Sequence, residues 1–136
     1  MLGGINVPRV LVVEDNAINL ELVVALLEQE GCEVLVAETA DAALPLAGTA
    51  HPDLILMDVQ LPGMTGYEAT RCLKTDPATA PIPVVAITAQ AMRGDELRAV
   101  EAGCAAYLTK PLDARAFRDI LHRFLPDGKR GQTGVR

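Results

Sequence analysis

Glu14, Asp15, Asp58, Thr88 and Lys110 are far apart in the chain, yet each stands at the end of a short apolar run or just beyond one. R-V-L-V-V (9–13) leads into Glu14-Asp15, L-I-L-M (54–57) into Asp58, V-V-A-I (84–87) into Thr88, and the run at 105–108 into Thr109-Lys110-Pro111. Such runs, bounded by breakers, read as buried parallel strands covered on both faces. In an open α/β sheet the carboxyl ends of the strands share one edge, where ligands bind. Three carboxylates, a hydroxyl and an ammonium therefore converge on one crevice. Carboxylates brought together in this way repel, and some take up protons unless a cation joins them. Mg²⁺, or Mn²⁺ in its place, suits oxygen ligands. Asp15 and Asp58 are the best direct ligands, with Glu14 beside them or acting through water. One oxygen of Asp58 then stays free as a nucleophile, and carboxylates do form aspartyl phosphates. The cation, Lys110, the Thr88 hydroxyl and backbone N–H groups after strands 3 and 4 would meet the charge of an incoming phosphoryl group.

Each residue also has an ordinary reading. A strand-terminal Asp caps a turn, acids suit a helix N-terminus, Thr88 can cap the next segment, and Lys110 can be a solvated lysine. Their joint placement on one sheet edge favours the site.

The elements that must position these residues follow from pattern. Strand 1 is Arg9–Val13. Asn16 caps a helix from Ala17 to about Glu30, closed by Gly31. Strand 2 is Cys32–Ala37. Thr39 or Asp41 caps helix 2, which runs to about Ala47, with Pro45 late in it. Strand 3 is Asp53–Met57, and helix 3 runs from about Gly66 to Lys74. Strand 4 is Val84–Thr88, and helix 4 runs from about Gly94-Asp95 to Ala102-Gly103. Strand 5 is Ala105–Leu108. Asp113 caps helix 5, which reaches Phe124 or Leu125 before Pro126. Five βα units in succession predict a single α/β domain with a parallel sheet and helices on both faces. The expected domain is 9–125, with an N-terminal arm at 1–8 and a polar, Gly-rich tail at 126–136 expected to be disordered.

Composition narrows the function. The chain has 136 residues, half of them hydrophobic, no Trp and a net charge of −6. It suggests one domain with an aliphatic core. Acidity argues against nucleic-acid binding, which relies on basic surface. Cys32, Cys72 and Cys104 are odd in number and widely spaced, which argues against disulfides or a zinc site and for a reducing cytoplasm. His51 and His122 are isolated. There is no signal-peptide pattern and no apolar stretch long enough to cross a bilayer.

The segments V-L-V-V-E-D-N, L-I-L-M-D-V-Q-L-P-G-M-T-G, V-V-A-I-T-A and Y-L-T-K-P, spread over residues 9–125, resemble a two-component response-regulator receiver domain. The resemblance is to the stand-alone, chemotaxis-regulator-like type. T-A-Q-A-M-R-G-D-E and the ending at helix 5 point to the stand-alone cell-cycle regulators of alphaproteobacteria, although receivers of hybrid sensor kinases share that segment. The resemblance implies a flavodoxin-like, doubly wound (βα)5 fold with strand order 2-1-3-4-5. It implies that Asp58 is the phosphoacceptor, that Glu14 and Asp15 are the acidic pair, and that the backbone carbonyl of Gln60 completes the metal shell. Thr88 and Lys110 become the switch hydroxyl and the lysine, Tyr107 the aromatic that moves inward with Thr88, and Lys110-Pro111 a cis peptide. Gln60 and Gln90 flank the site and are expected to tune hydrolysis.

On this reading the chain is a cytoplasmic phosphorelay protein rather than an enzyme. A histidine kinase or histidine phosphotransfer protein phosphorylates it. Self-phosphorylation from small donors and autodephosphorylation are expected. The phosphoryl group repacks the face formed by helix 4, strand 5 and helix 5, with Gly94 and Gly103 flanking helix 4, and a downstream protein reads that face. The chain is expected to act as a monomer or weak homodimer, away from nucleic acid and membrane. Helix 1 is apolar nearly all round, and its surplus, expected at Leu20 and Val24, would dock on the kinase or phosphotransfer bundle. The alternatives are a receiver module of a hybrid kinase or longer regulator, and a pseudo-receiver that works without phosphorylation. A haloacid-dehalogenase-type phosphatase would want a second Asp where Ala17 stands. A flavodoxin-like cofactor binder would want a phosphate-cradling loop where two acids stand.

Overall fold

The computed structural model describes residues 7–89 and 95–125. Residues 1–6 of the expected arm, the expected tail at 126–136, Gln90 and Gly94 lie outside the described residues. The elements are β1 (Arg9–Val13), α1 (Ala17–Gln29), β2 (Glu33–Ala37), α2 (Ala40–Ala50), β3 (Leu54–Asp58), α3 (Gly66–Thr75), β4 (Val84–Thr88), α4 (Asp95–Ala102), β5 (Ala106–Thr109) and α5 (Ala114–Phe124). The strands form one parallel sheet in the order β2-β1-β3-β4-β5. This is the doubly wound fold that the alternation of apolar runs and helical segments predicts.

Period-two alternation along each strand divides the core into two layers. Val10, Val12, Leu54, Leu56, Val85 and Ile87 face Val23 and Leu27 of α1 and Phe117 and Leu121 of α5. Leu11, Val13, Ile55, Met57 and Val84 face the alanines of α2 and Ala69 and Leu73 of α3. Burying each large aliphatic side chain is worth about 1.5–3 kcal/mol. The three central strands therefore form a rigid floor for the residues at their ends.

Element ends depart from expectation by one to three residues. Asp53 precedes β3: its N–H donates to the Arg9 carbonyl (2.7 Å), and its carboxylate accepts the Arg9 N–H (2.9 Å). The strand instead ends on Asp58, which pairs with Ile87 in the ladder. β5 is likewise shifted one residue on, so that Thr109 pairs with Thr88. Helix α2 runs to Ala50, past the expected end near Ala47. Pro45 is exposed, so the helix bond that it cannot donate is lost on the solvent side. The Thr49 hydroxyl then donates to the Pro45 carbonyl (3.2 Å), and His51 closes the helix in a left-handed conformation, φ 49°.

Helix α1 keeps its apolar surplus in a different place from the one expected. Leu20 and Val24 are half-buried, Leu20 against the core layer. The exposed large apolar side chains are Ile18 (78 %) and Leu22 (46 %). With Val23 and Leu27 fixed inward, the i, i+4 pair at 18 and 22 falls on the outer side.

Candidate functional site

Glu14 follows β1 directly and is tied to the edge strand by its N–H, which donates to the Ala37 carbonyl (3.0 Å). Its side chain turns inward and is 2 % exposed. One carboxylate oxygen, Oε2, accepts the Asn16 N–H (3.1 Å). The other, Oε1, accepts from Lys110 Nζ (3.1 Å). Asp58, the last residue of β3, is also buried. Its Oδ1 accepts the Gln60 N–H (3.1 Å), and its Oδ2 accepts from the same Lys110 ammonium (3.4 Å). Asp15 is exposed beside them. A carboxylate oxygen of each of Glu14, Asp15 and Asp58 lies within 4.8 Å of the others.

Lys110 spans the two buried acids from a backbone held against β4. Its N–H donates to the Thr88 carbonyl (2.8 Å), and the peptide bond to Pro111 is cis. Thr88 itself is buried at the end of β4. Four of the residues named from sequence, Glu14, Asp15, Asp58 and Lys110, therefore meet through their side chains, and Thr88 joins them through its backbone carbonyl.

Burial pushes the Asp58 carboxyl up to about 6, with the neighbouring Glu14 carboxyl adding to the rise. The Gln60 N–H and Lys110 oppose it. Lys110 supplies one positive charge against three carboxylates, so the cluster carries a net negative charge in a partly desolvated cleft. An all-oxygen donor set short of positive charge fits a hard divalent cation such as Mg²⁺.

The turn from β3 into α3 is tightly held. The Gly66 N–H donates to the Val59 carbonyl (2.9 Å), and the Thr70 hydroxyl donates to the Gly66 carbonyl (2.8 Å). Thr65 and Glu68 form a reciprocal capping box that starts α3. A β-carbon on Gly66 would lie 2.3 Å from the Asp58 carbonyl oxygen, so only glycine fits there. Sequence reasoning treated Gly66 as a breaker and a helix start and missed this contact. It also missed Asn16 as an anchor for Glu14. Neither has a signal in the residue types alone.

One hollow borders Lys110 and another lies between α4, β5 and α5. Asn19, Leu22, Val23, Lys110, Pro111 and Leu112 line a cavity of about 110 Å³ between α1 and the loop after β5. Tyr107 is half-buried and lines a cleft of about 290 Å³ with Ala99 and Val100 of α4 and Ile120 and Arg123 of α5.

Residues 10–122 match the family model described as the response regulator receiver domain. The polar-differentiation response regulator DivK of Brucella ovis is 45 % identical over 118 residues, covering 87 % of this chain and 96 % of that protein. DivK of Brucella anthropi is 44 % identical over the same span. Among solved structures, the receiver domain of the sensor histidine kinase PA1611 from Pseudomonas aeruginosa holds a magnesium ion in its active-site cleft. It is 34 % identical with a TM-score of 0.81, covering 87 % of this chain and 97 % of that one. The chemotaxis protein CheY4 of Vibrio cholerae superposes with a TM-score of 0.82 at 27 % identity, covering 88 % of this chain and 99 % of that one.

Proposed function

This chain belongs to the response regulator receiver domain family of two-component signalling, and on that premise we propose that it accepts a phosphoryl group on Asp58 from the phosphohistidine of a histidine kinase or phosphotransfer protein. The observation that carries this is the Asp58 carboxylate at the end of β3, gripped by the Gln60 N–H and Lys110, with Glu14 and Asp15 beside it. An Asp58 oxygen attacks phosphorus, the P–N bond breaks, and its electron pair returns to the donor imidazole. Lys110 and the Thr88 hydroxyl meet the charge spread over the phosphoryl oxygens. Asp15 and Asp58 would hold Mg²⁺ or Mn²⁺, with Glu14 beside them and the Gln60 carbonyl completing the shell, and the bound ion would supply further positive charge at the phosphoryl oxygens.

Thr88 shifts toward the phosphoryl group, Tyr107 follows it inward, and the cleft between α4, β5 and α5 is repacked for a downstream protein. Self-phosphorylation from small donors and autodephosphorylation belong to the same chemistry. No helix among the described residues is long and apolar enough to cross a membrane; the proposed phosphorelay places the chain in the cytoplasm. The donor protein docks on α1, where Ile18 and Leu22 are exposed and Leu20 and Val24 flank them half-buried. Likeness to DivK across nearly all of that protein supports a stand-alone regulator. Likeness to the PA1611 receiver supports a second reading, the receiver module of a hybrid sensor kinase.

Intact-mass analysis after incubation with acetyl phosphate tests the chemistry, run with Mg²⁺, with EDTA, and on Asp58→Asn. One phosphoryl adduct that needs both Mg²⁺ and Asp58 is the expected result. No adduct on folded protein would leave a receiver fold without phosphate chemistry.

A further inference from the structure

Helix α4 is held down by small residues. Ala99 and Ala102 are its buried side chains, while Leu97 (61 %) and Val100 (64 %) are exposed. The large side chain beneath it is Tyr67, 3 % exposed, which packs with Ala99, Ala102 and the half-buried Val59 and Cys104. The Arg98 guanidinium lies over the Tyr67 ring, 4.7 Å from its centroid. A cation over an aromatic face is attracted by the ring quadrupole.

Tyr67 is the second residue of α3 and follows Gly66, which lies so close to the Asp58 carbonyl that a β-carbon would not fit and whose N–H donates to the Val59 carbonyl. The Asp58 peptide, Gly66, Tyr67 and Arg98 are thus a packed series that reaches α4 from the α3 side. Tyr107 approaches the same helix from β5.

We infer that Tyr67 and Arg98 are positioning residues that tie α4 to the backbone at Asp58: the stack holds α4 in its resting place, and a shift of the Asp58–Val59 peptide reaches α4 through Tyr67. Coupling of this kind is reciprocal. A partner that draws Arg98 off the ring loosens the turn behind the phosphoacceptor. The hold on α4 is a property of the unmodified chain; its use as a relay rests on the phosphoacceptor reading of Asp58.

Amide hydrogen exchange on the full chain tests both halves. Without ligand, Arg98→Met speeds exchange at residues 99–102 by about 2- to 5-fold, the scale of an exposed cation–π contact, and Tyr67→Leu, which also loses buried packing, speeds it by at least as much. Tyr67→Phe keeps the ring and exchanges more slowly than Tyr67→Leu. The double variant Tyr67→Leu/Arg98→Met is no faster than its faster parent. After loading with beryllofluoride and Mg²⁺, the change in α4 exchange seen in the wild type shrinks in Arg98→Met. Exchange in Tyr67→Phe as fast as in Tyr67→Leu, or additive effects in the double variant, would reduce Tyr67 to ordinary filler and overturn the inference. A loading response of full size in Arg98→Met would overturn the relay. A wild type that neither loads nor forms a phosphoryl adduct would instead sink the phosphoacceptor reading, and the unloaded series would still decide the stack.

Discussion

Adding one methyl group at position 66 should damage both folding and phosphorylation. A β-carbon there meets the Asp58 carbonyl oxygen at 2.3 Å, the Val59 Cα at 2.9 Å and the Asp58 carbonyl carbon at 3.0 Å. Comfortable non-bonded contact is about 3.5 Å, so the overlap with the oxygen is about 1 Å. All three neighbours are backbone, and no rotamer change relieves them. Either the start of α3 moves, breaking the Gly66 N–H bond to Val59, or the Asp58 peptide moves. Overpacking of this kind costs about 1–3 kcal/mol, against a gain of up to about 1 kcal/mol from replacing Gly by Ala in a helix. A net loss of about 1 kcal/mol lowers the urea midpoint by about 0.5 M at a typical slope of about 2 kcal/mol per M. If the peptide yields, Asp58 is misplaced by about 1 Å, and labelling by acetyl phosphate slows by about 10²-fold. Urea melts followed by circular dichroism and a labelling time course measure both effects. Gly63→Ala is the control: φ there is +75° with open space around the position, so it costs about 1 kcal/mol of left-handed strain and leaves labelling intact. A Gly66→Ala protein with a wild-type midpoint and labelling rate would refute the argument.

Four further outcomes are expected. The Asp58 carboxyl sits near 6 in the folded, ion-free chain, so the folded state keeps a proton that the unfolded chain releases at about pH 4. Stability without Mg²⁺ therefore falls as pH rises from about 4 to 6 and stays lowered above that window. Asp58→Asn should flatten this slope and raise the urea midpoint at pH 7.5 by the equivalent of about 1–2 kcal/mol. Lys110→Met leaves the buried Glu14 and Asp58 carboxylates facing each other without the shared ammonium; labelling should drop by about 10²-fold while the circular dichroism spectrum persists. Thr65→Ala removes the capping box that starts α3 and should cost about 1 kcal/mol in urea melts. Ile18→Glu and Leu22→Glu should slow phosphotransfer from the partner protein and spare labelling by acetyl phosphate, whereas Leu20→Glu should also lower stability because Leu20 packs on the core. Equal loss of both reactions in the Ile18 and Leu22 variants would count against docking on α1.

The chemistry-bearing residues are readable in the chain because a buried parallel strand must be apolar along its whole length. A charged or hydroxyl residue at the end of such a run announces the sheet edge, and Glu14, Asp58 and Thr88 all stand there. Helix starts are readable for a similar reason, since Asn16, Thr39 and Asp113, read as caps from the sequence, each accept a backbone N–H three residues on, as Thr65 does at the start of α3 without having been read. Ends set by hydrogen bonds to a distant segment are harder. Asp53 looks like the first residue of β3 until the Arg9 N–H is seen to bind its carboxylate. Pro45 looks like a late helix breaker until its solvent-facing position is known.

Sequence by itself determined the donor set: three carboxylates, one hydroxyl and one ammonium at the ends of apolar runs in a five-unit βα chain. Run length, period and breakers are local properties, and they suffice to bring these residue types to one edge. Tertiary structure decided the rest, because distance, burial and clearance depend on segments that meet only after folding. Lys110 reaches Glu14 and Asp58 together because β5 runs to Thr109, which pairs with Thr88, and the Lys110 N–H is bonded to the Thr88 carbonyl. Asp58 is pushed up to about 6 because the neighbouring strands desolvate it. Gly66 is required by the Asp58 carbonyl beside it. Ile18 and Leu22 are outermost on α1 because Val23 and Leu27 are the residues that the sheet claims.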